Sequence, residues 1–192
     1  SLASAHRMQY KKMIGPLSVG LIQANHSQLN KSRGDKKKLV DDYMNKTQLL
    51  INTRSCDLVI WPETVVPARI FNDHTFKTEL SEIVKQHHTR VLFGATRTEG
   101  TKQFNSAVLF RPHNQIPMNY DKTFLVPFGE YIPKIFRIFN INVIQRGSQF
   151  DRPVYSSSLD DQPYSIGVVL CSESTGPIYT RKRVKQDADF LV

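Results

Sequence analysis

Apolar positions along this chain fall into short unbroken runs, separated by longer stretches in which they recur every three or four residues. Residues 17–23 (LSVGLIQ), just after Gly15-Pro16, form a run that predicts a buried strand. Over residues 35–52, Val40, Tyr43, Met44, Thr47, Leu50 and Ile51 share one stripe with charged residues elsewhere, which predicts an amphipathic helix. Residues 57–61 (DLVIW) predict a second buried strand, stopped by Pro62. Asn72 or Asp73 is placed to cap a second helix whose stripe is Phe76, Leu80, Ile83, Val84 and His87. Residues 91–95 and 105–111 predict a third and a fourth strand.

The pattern changes between Pro112 and Pro133, where Pro and Gly punctuate a stretch that carries Tyr120, Phe124, Phe128 and Tyr131. So many aromatics point to an ordered loop rather than a linker. Beyond it the sequence predicts a short helix at 134–139, a turn at 146–148 and a hairpin around 156–162. An apolar strand over 165–171 (SIGVVLC), a helix over 178–186 and a strand beginning at 188 complete the chain. Strand, helix, strand, helix and then paired strands indicate an α/β layered protein. Residues 1–16 read as a lead-in and 17–192 as one domain. The last strand signal has no covering element after it, so the domain is expected to be incomplete at its C-terminal end.

Composition narrows the classes. A chain of 192 residues, 40% apolar and 22% charged, is the size of one folded domain. No window approaches the ~18–20 uninterrupted apolar residues of a membrane span. Residues 1–12 mix His, Arg and Lys with Ala and lack the apolar core of a signal peptide, so any exporting or anchoring segment is expected outside this chain. The formal charge of +9 is concentrated at 31–38 (KSRGDKKK) and 181–185 (RKRVK). Two solvated helix faces account for such runs, and attraction to an anionic membrane surface is the functional alternative. No nucleic-acid-binding motif accompanies the charge. Two cysteines and six histidines without ligand spacing give no sign of a metal site.

Chemistry-bearing residues recur near the ends of the apolar runs: Glu63 in WPET, Lys122 in YDKTFLVPFGEY and Cys171 at the end of SIGVVLC. In α/β sheets the residues past the carboxyl ends of strands line the functional crevice. A carboxylate, an ammonium and a thiol meeting there supply a base, an oxyanion stabiliser and a nucleophile. Taken singly, each has a plainer reading as a rim carboxylate, a surface charge or a core cysteine.

Taken together, the ordered Glu, the Lys segment and the Cys with an acid two places on resemble the nitrilase, or carbon–nitrogen hydrolase, superfamily. More narrowly, WPET, YDKTFLVPFGEYIP and GVVLCSES resemble the catalytic domain of the apolipoprotein N-acyltransferases, with the likeness running from about Leu17 to Val192. The resemblance implies an α-β-β-α sandwich and a catalytic set of Glu63, Lys122, Cys171 and Glu130. Cys171 would be the nucleophile, Glu63 the general base and Lys122 the oxyanion stabiliser, with Glu130 fixing the lysine or assisting proton transfer. Glu173, Trp61, Tyr120, Phe128 and Tyr131 are implied as substrate-binding or supporting residues. Ser172 stands where that family commonly carries Tyr.

The resemblance further implies a fatty acyl transfer from phospholipid, through a thioester on Cys171, to the N-terminal amine of a lipoprotein. Neither metal nor organic cofactor takes part in that chemistry. The implied setting is the periplasmic face of a bacterial inner membrane, with the anchoring helices outside this chain. Two alternatives stay open at this stage. One is a soluble carbon–nitrogen hydrolase with the same Glu-Lys-Cys set, and the other an inactive, truncated nitrilase-like domain.

Overall fold

The computed structural model describes residues 15–25, 36–133 and 149–192. The helix expected at 134–139, the turn expected at 146–148, residues 1–14 of the lead-in and most of the basic run 31–38 lie outside the described residues.

Among the described residues, two sheets face each other. The larger has the order β1–β2–β3–β4–β5, built from Val19–Leu21, Leu58–Ile60, Arg90–Glu99, Lys102–Arg111 and Asn114–Asp121. β1, β2 and β3 run parallel, whereas β3–β4 and β4–β5 are antiparallel hairpins. The smaller sheet joins β6 (Leu159–Asp161), β7 (Tyr164–Gly167) and β8 (Phe190–Leu191). Among the described residues, three helices, α1 (Lys36–Thr53), α2 (Ala68–Phe71) and α3 (His74–Gln86), precede the hairpins, and α4 (Pro177–Lys185) follows β7.

The unbroken apolar runs of the central strands are explained by burial on both faces. Along β3, Val91, Phe93 and Ala95 point to one side, into a core shared with Val40, Tyr43 and Met44 of α1 and Phe76, Leu80 and Val84 of α3. Leu92 points to the other, where it meets Leu58, Leu109 and Tyr120 and, from the second sheet, Leu159 and Ile166. β4 repeats the pattern, Val108 and Phe110 facing the helices and Ala107 and Leu109 the second sheet. This is the two-residue period of a strand with both faces covered. Phe93 is the hub on the helix side, its ring 5.2 Å from Trp61, 5.9 Å from Phe76 and 5.8 Å from Phe110. Burying such a side chain contributes roughly 1.5–3 kcal/mol. On the outer face of the second sheet, a Cβ at Gly167 would stand 3.0 Å from the Arg183 Cβ, so α4 lies directly on β7. Helices, sheet, sheet and helix give the α-β-β-α layering.

Several sequence expectations are refined. Helix α1 buries Leu39, Val40, Tyr43, Met44, Thr47 and Ile51, and α3 is capped by Asp73, whose side chain accepts a hydrogen bond from the Thr75 amide at 2.9 Å. His87 falls at the exposed C-cap of α3 rather than on its buried stripe. The run at 17–23 is not a buried strand. β1 ends the sheet, and its Val19 and Leu21 are exposed. The first half of the expected loop after Pro112 is the strand β5. Pro117 masked it in the sequence, since proline cannot donate a ladder hydrogen bond; an edge strand tolerates it, and β5 is such an edge. The strand expected to end at Cys171 stops at Gly167, and Cys171 instead opens a 3-10 turn, Cys171–Thr175.

Candidate active site

Glu63 follows β2 by way of Trp61 and Pro62. Trp61 is a structural pin: its indole N–H donates to the Thr47 hydroxyl at 2.9 Å, and its ring packs 5.5 Å from Tyr43 and 5.2 Å from Phe93. The Glu63 turn then lies against β3 at Gly94. A Cβ on Gly94 would come within 2.3 Å of the Thr64 backbone nitrogen and 2.5 Å of Glu63 Cα, so only glycine admits this approach. The Gly94 amide donates to the Pro62 carbonyl at 3.1 Å, and Thr64 adopts φ +56° to complete the turn.

Lys122 leaves the end of β5. Its amide donates to the Asn105 carbonyl at 2.8 Å. Its neighbour Asp121 is gripped by Arg97, with Nε at 3.1 Å and Nη2 at 2.7 Å, and by the Ser106 hydroxyl at 2.6 Å. The Lys122 side chain is buried, and its ammonium lies 2.8 Å from Glu130 Oε1 and 3.4 Å from Glu63 Oε1. Glu130 is reached by a tight loop in which its own amide donates to the Val126 carbonyl at 2.9 Å. Its second oxygen, Oε2, accepts from the Val126 amide at 2.9 Å, and its carbonyl accepts from the Phe150 amide at 2.8 Å.

Asn105, on β4, ties the two carboxylates together. Its side-chain amide donates to Glu63 Oε1 at 2.7 Å and to Glu130 Oε1 at 2.9 Å. Sequence reading passed over this residue. The available signal was a polar side chain at the start of an otherwise apolar run, FNSAVLF, and Asn105 is only 2% exposed.

The electrostatics follow from these contacts. Burial pushes the Lys122 ammonium down, but the hydrogen bond to Glu130 and the charge of Glu63 outweigh it, and the pKa stands above its ordinary value. Cys171 is close enough for its charge to add to that effect. Burial pushes Glu130 up, and the donors Lys122, the Val126 amide and Asn105 more than reverse it, so its pKa lies below the usual carboxylate value.

Cys171 is exposed and free, whereas Cys56 is buried and free. Two residues on, Glu173 is fully buried and ties together the segments that carry Lys122 and Cys171. Its Oε1 accepts from the Thr123 amide at 2.8 Å, the Thr123 hydroxyl at 2.6 Å and the Phe124 amide at 3.1 Å. Its Oε2 accepts from the Leu170 amide at 3.1 Å, and both oxygens lie 2.8 Å from the Tyr120 hydroxyl. One carboxylate thus joins the residues just after Lys122 to the residue just before Cys171. Ser172 adds a further tie, its hydroxyl donating to the Phe124 carbonyl at 3.0 Å.

Tyr120 is a buried pillar and not a groove wall. The buried Arg183 donates to its hydroxyl at 3.1 Å and lies over its ring at 4.6 Å. Arg183 is the exception to the solvated reading of the basic run 181–185. Burial is the main force raising the Tyr120 hydroxyl's pKa, opposed by a hydrogen bond with Thr123 and reinforced by the Glu173 charge. Phe128 is 42% exposed at φ +63° on the loop between Lys122 and Glu130. Tyr131 is half-buried, with the Arg152 guanidinium 4.9 Å from its ring centre and donating to its hydroxyl at 3.1 Å.

Comparison with known proteins places the chain in a family. A family profile described as carbon-nitrogen hydrolase matches residues 18–192. Among curated relatives, the apolipoprotein N-acyltransferase of Geobacter metallireducens is 27% identical over 183 residues, covering 92% of this chain and 35% of that protein. The apolipoprotein N-acyltransferase of Photobacterium profundum is 28% identical over 190 residues, covering 92% of this chain and 36% of that protein. The chain therefore spans about a third of the length of these relatives. Among solved structures, a carbon-nitrogen hydrolase superfamily protein from Xanthomonas campestris superposes with a TM-score of 0.64 at 15% identity, over 93% of this chain and 64% of that one. An amidase from Nesterenkonia sp. gives 0.62 at 15% identity, over 91% of this chain and 63% of that one. These two likenesses establish the fold.

Proposed function

Because the chain belongs to the carbon-nitrogen hydrolase family, we propose that it is the catalytic unit of an N-acyltransferase working through a thioester on Cys171. The observation that carries this reading is the Lys122 ammonium set between Glu63 and Glu130, within electrostatic reach of the exposed free Cys171. The relatives named apolipoprotein N-acyltransferase favour a fatty acyl donor and a lipoprotein amine as acceptor.

In the first half-reaction Glu63 takes the proton of the Cys171 thiol, and the sulfur attacks the ester carbonyl of a phospholipid. A carbon–sulfur bond forms, and the Lys122 ammonium faces the oxyanion of the tetrahedral intermediate. Collapse breaks the ester carbon–oxygen bond, and the departing alcohol receives the proton from Glu63. In the second half-reaction the lipoprotein's terminal amine attacks the thioester. Glu63 accepts the amine proton, the carbon–sulfur bond breaks, and the proton returns to the thiolate. Two easier steps replace one hard transfer, giving ping-pong kinetics.

Glu130 and Glu63 suit different tasks. Glu130 binds Lys122 more closely, 2.8 Å against 3.4 Å, and its second oxygen is held by a backbone amide. It would fix the cation, leaving Glu63 to carry the proton. No described helix is long and apolar enough to cross a membrane. In this reading the domain works at the periplasmic face of a bacterial inner membrane, and the membrane-spanning parts belong to sequence outside this chain.

Intact-protein mass spectrometry after incubation with phospholipid vesicles tests the proposal. A hydroxylamine-labile gain of one fatty acyl group in the wild type, absent in Cys171→Ala and retained in Cys56→Ala, is the expected result. Equal loss in both variants would remove Cys171 from the role of nucleophile. Turnover of small amides without any lipid adduct would move the reading to a hydrolase.

A further inference from the structure

Helix α4 (PIYTRKRVK) contains no acidic residue. Its inner side is occupied by Arg183, which is buried, and by Tyr179, which stacks on Phe124 at 5.0 Å. Its outer side presents Ile178, Arg181, Lys182 and Lys185, all exposed and spaced as one helical stripe. Ile178 is 72% exposed. With Thr123 and Tyr179, these four side chains line an open groove of about 450 Å³. No carboxylate lines it, and among the described residues none of the three cations has an acidic partner. The groove adjoins the segments that carry Lys122 and Cys171: Thr123, which lines it, follows Lys122 and donates to Glu173, two residues from Cys171, at 2.6 Å.

Three unpaired cations around an apolar side chain match one kind of surface, phosphate groups overlying hydrocarbon. A second copy of the same face would set cation against cation. We propose that the outer stripe of α4 docks on an anionic phospholipid bilayer. Headgroup phosphates occupy the groove, and Ile178 enters the interface. Docking there brings the ester carbonyls of the outer lipid layer toward the side of the domain that carries Cys171. The inference rests on the acyl-transfer reading for its purpose but not for its test.

The test is co-sedimentation of the purified chain with vesicles of phosphatidylcholine alone and of phosphatidylcholine mixed with phosphatidylglycerol. The wild type should bind the mixed vesicles, bind phosphatidylcholine poorly and detach as salt rises. The triple variant Arg181→Gln, Lys182→Gln, Lys185→Gln should lose roughly 100-fold in partition to the mixed vesicles. A control triple with the same charge change, Arg54→Gln, Lys85→Gln, Lys102→Gln, should bind much as the wild type does. Equal loss in both triples would reduce the effect to net charge and overturn the proposal. So would equal binding to the two vesicle types, or a wild-type dimer in sedimentation equilibrium that the α4 triple dissociates. Wild-type acylation of Cys171 by a water-soluble activated ester, measured separately, reads the transfer chemistry without the bilayer.

Discussion

The Tyr120 hydroxyl stands 2.8 Å from both carboxylate oxygens of Glu173, with the Arg183 guanidinium 3.1 Å behind it. A buried anion and a buried cation are thereby joined through one neutral hydroxyl. The join sits directly under the segments that carry Lys122 and Cys171.

Tyr120→Phe removes that hydroxyl and little volume. Glu173 keeps the Thr123, Phe124 and Leu170 donors, while Arg183 loses an acceptor in a buried place. Urea unfolding should show a loss of about 1–3 kcal/mol. Cys171 acylation should slow with it. Unchanged stability would mean that the hydroxyl does not bridge the two charges.

Gly94→Ala tests how Glu63, the general base of the proposed reaction, is placed. The new methyl meets backbone atoms of Glu63 and Thr64, which cannot swing aside as a side chain could. Overpacking of this kind costs about 1–3 kcal/mol. Displacing Glu63 by an ångström should cost roughly 10²-fold in rate, mainly in kcat. Full acylation activity with a normal Tm would show that the Glu63 turn has freedom its contacts do not suggest.

Asn105→Leu removes the donor shared by Glu63 and Glu130 at nearly constant volume. Glu130 loses one of the hydrogen bonds that hold its pKa down, so the acidic limb of the rate profile should move to higher pH. Stability should fall by about 1.5–3 kcal/mol, the range for hydrogen bonds to charged groups. A superimposable pH–rate profile would contradict this role.

The Glu130–Lys122 pair makes stability depend on pH on two sides. Glu130 is depressed in the fold, so its contribution is present above the ordinary value of 4.5 and is lost as pH falls through the folded value. Lys122 is raised, so its contribution is complete below 10.5 and is lost as pH rises through the folded value. A series of urea midpoints across pH should therefore fall at both ends. Glu130→Gln should flatten the acidic limb, and an acidic slope identical to wild type would assign that limb to other carboxylates.

Much of this was readable from residue order, for identifiable reasons. Helices α1 and α3 declared themselves because their stripes, such as Val40, Tyr43, Met44 and Thr47 of α1, face a single core. Glu63, Lys122 and Glu130 were legible because they sit in distinctive strings at element ends, and the structure brings these three together. Three features were hidden. Pro117 disguised β5, because a local preference cannot reveal that a strand lies at an edge. Arg183 looked like one more charge in a basic run, because only the packing of α4 on β7 makes its position interior. Asn105 gave little away, since its two carboxylate partners lie 42 and 25 residues off along the chain.

Cys171 adopts φ +44°, and Thr64 and Phe128, in the loops beside Glu63 and Glu130, also have positive φ. Side chains other than glycine pay for that region, at about 1–3 kcal/mol each. At Cys171 a glycine would relieve the backbone, and little packing would be lost because the side chain is exposed. In the proposed reaction the thiol is nonetheless the acyl carrier. Heat resistance and turnover therefore pull this position in opposite directions. A screen that selects thermostable variants without an activity readout should drift toward glycine there, yielding a tougher and silent protein.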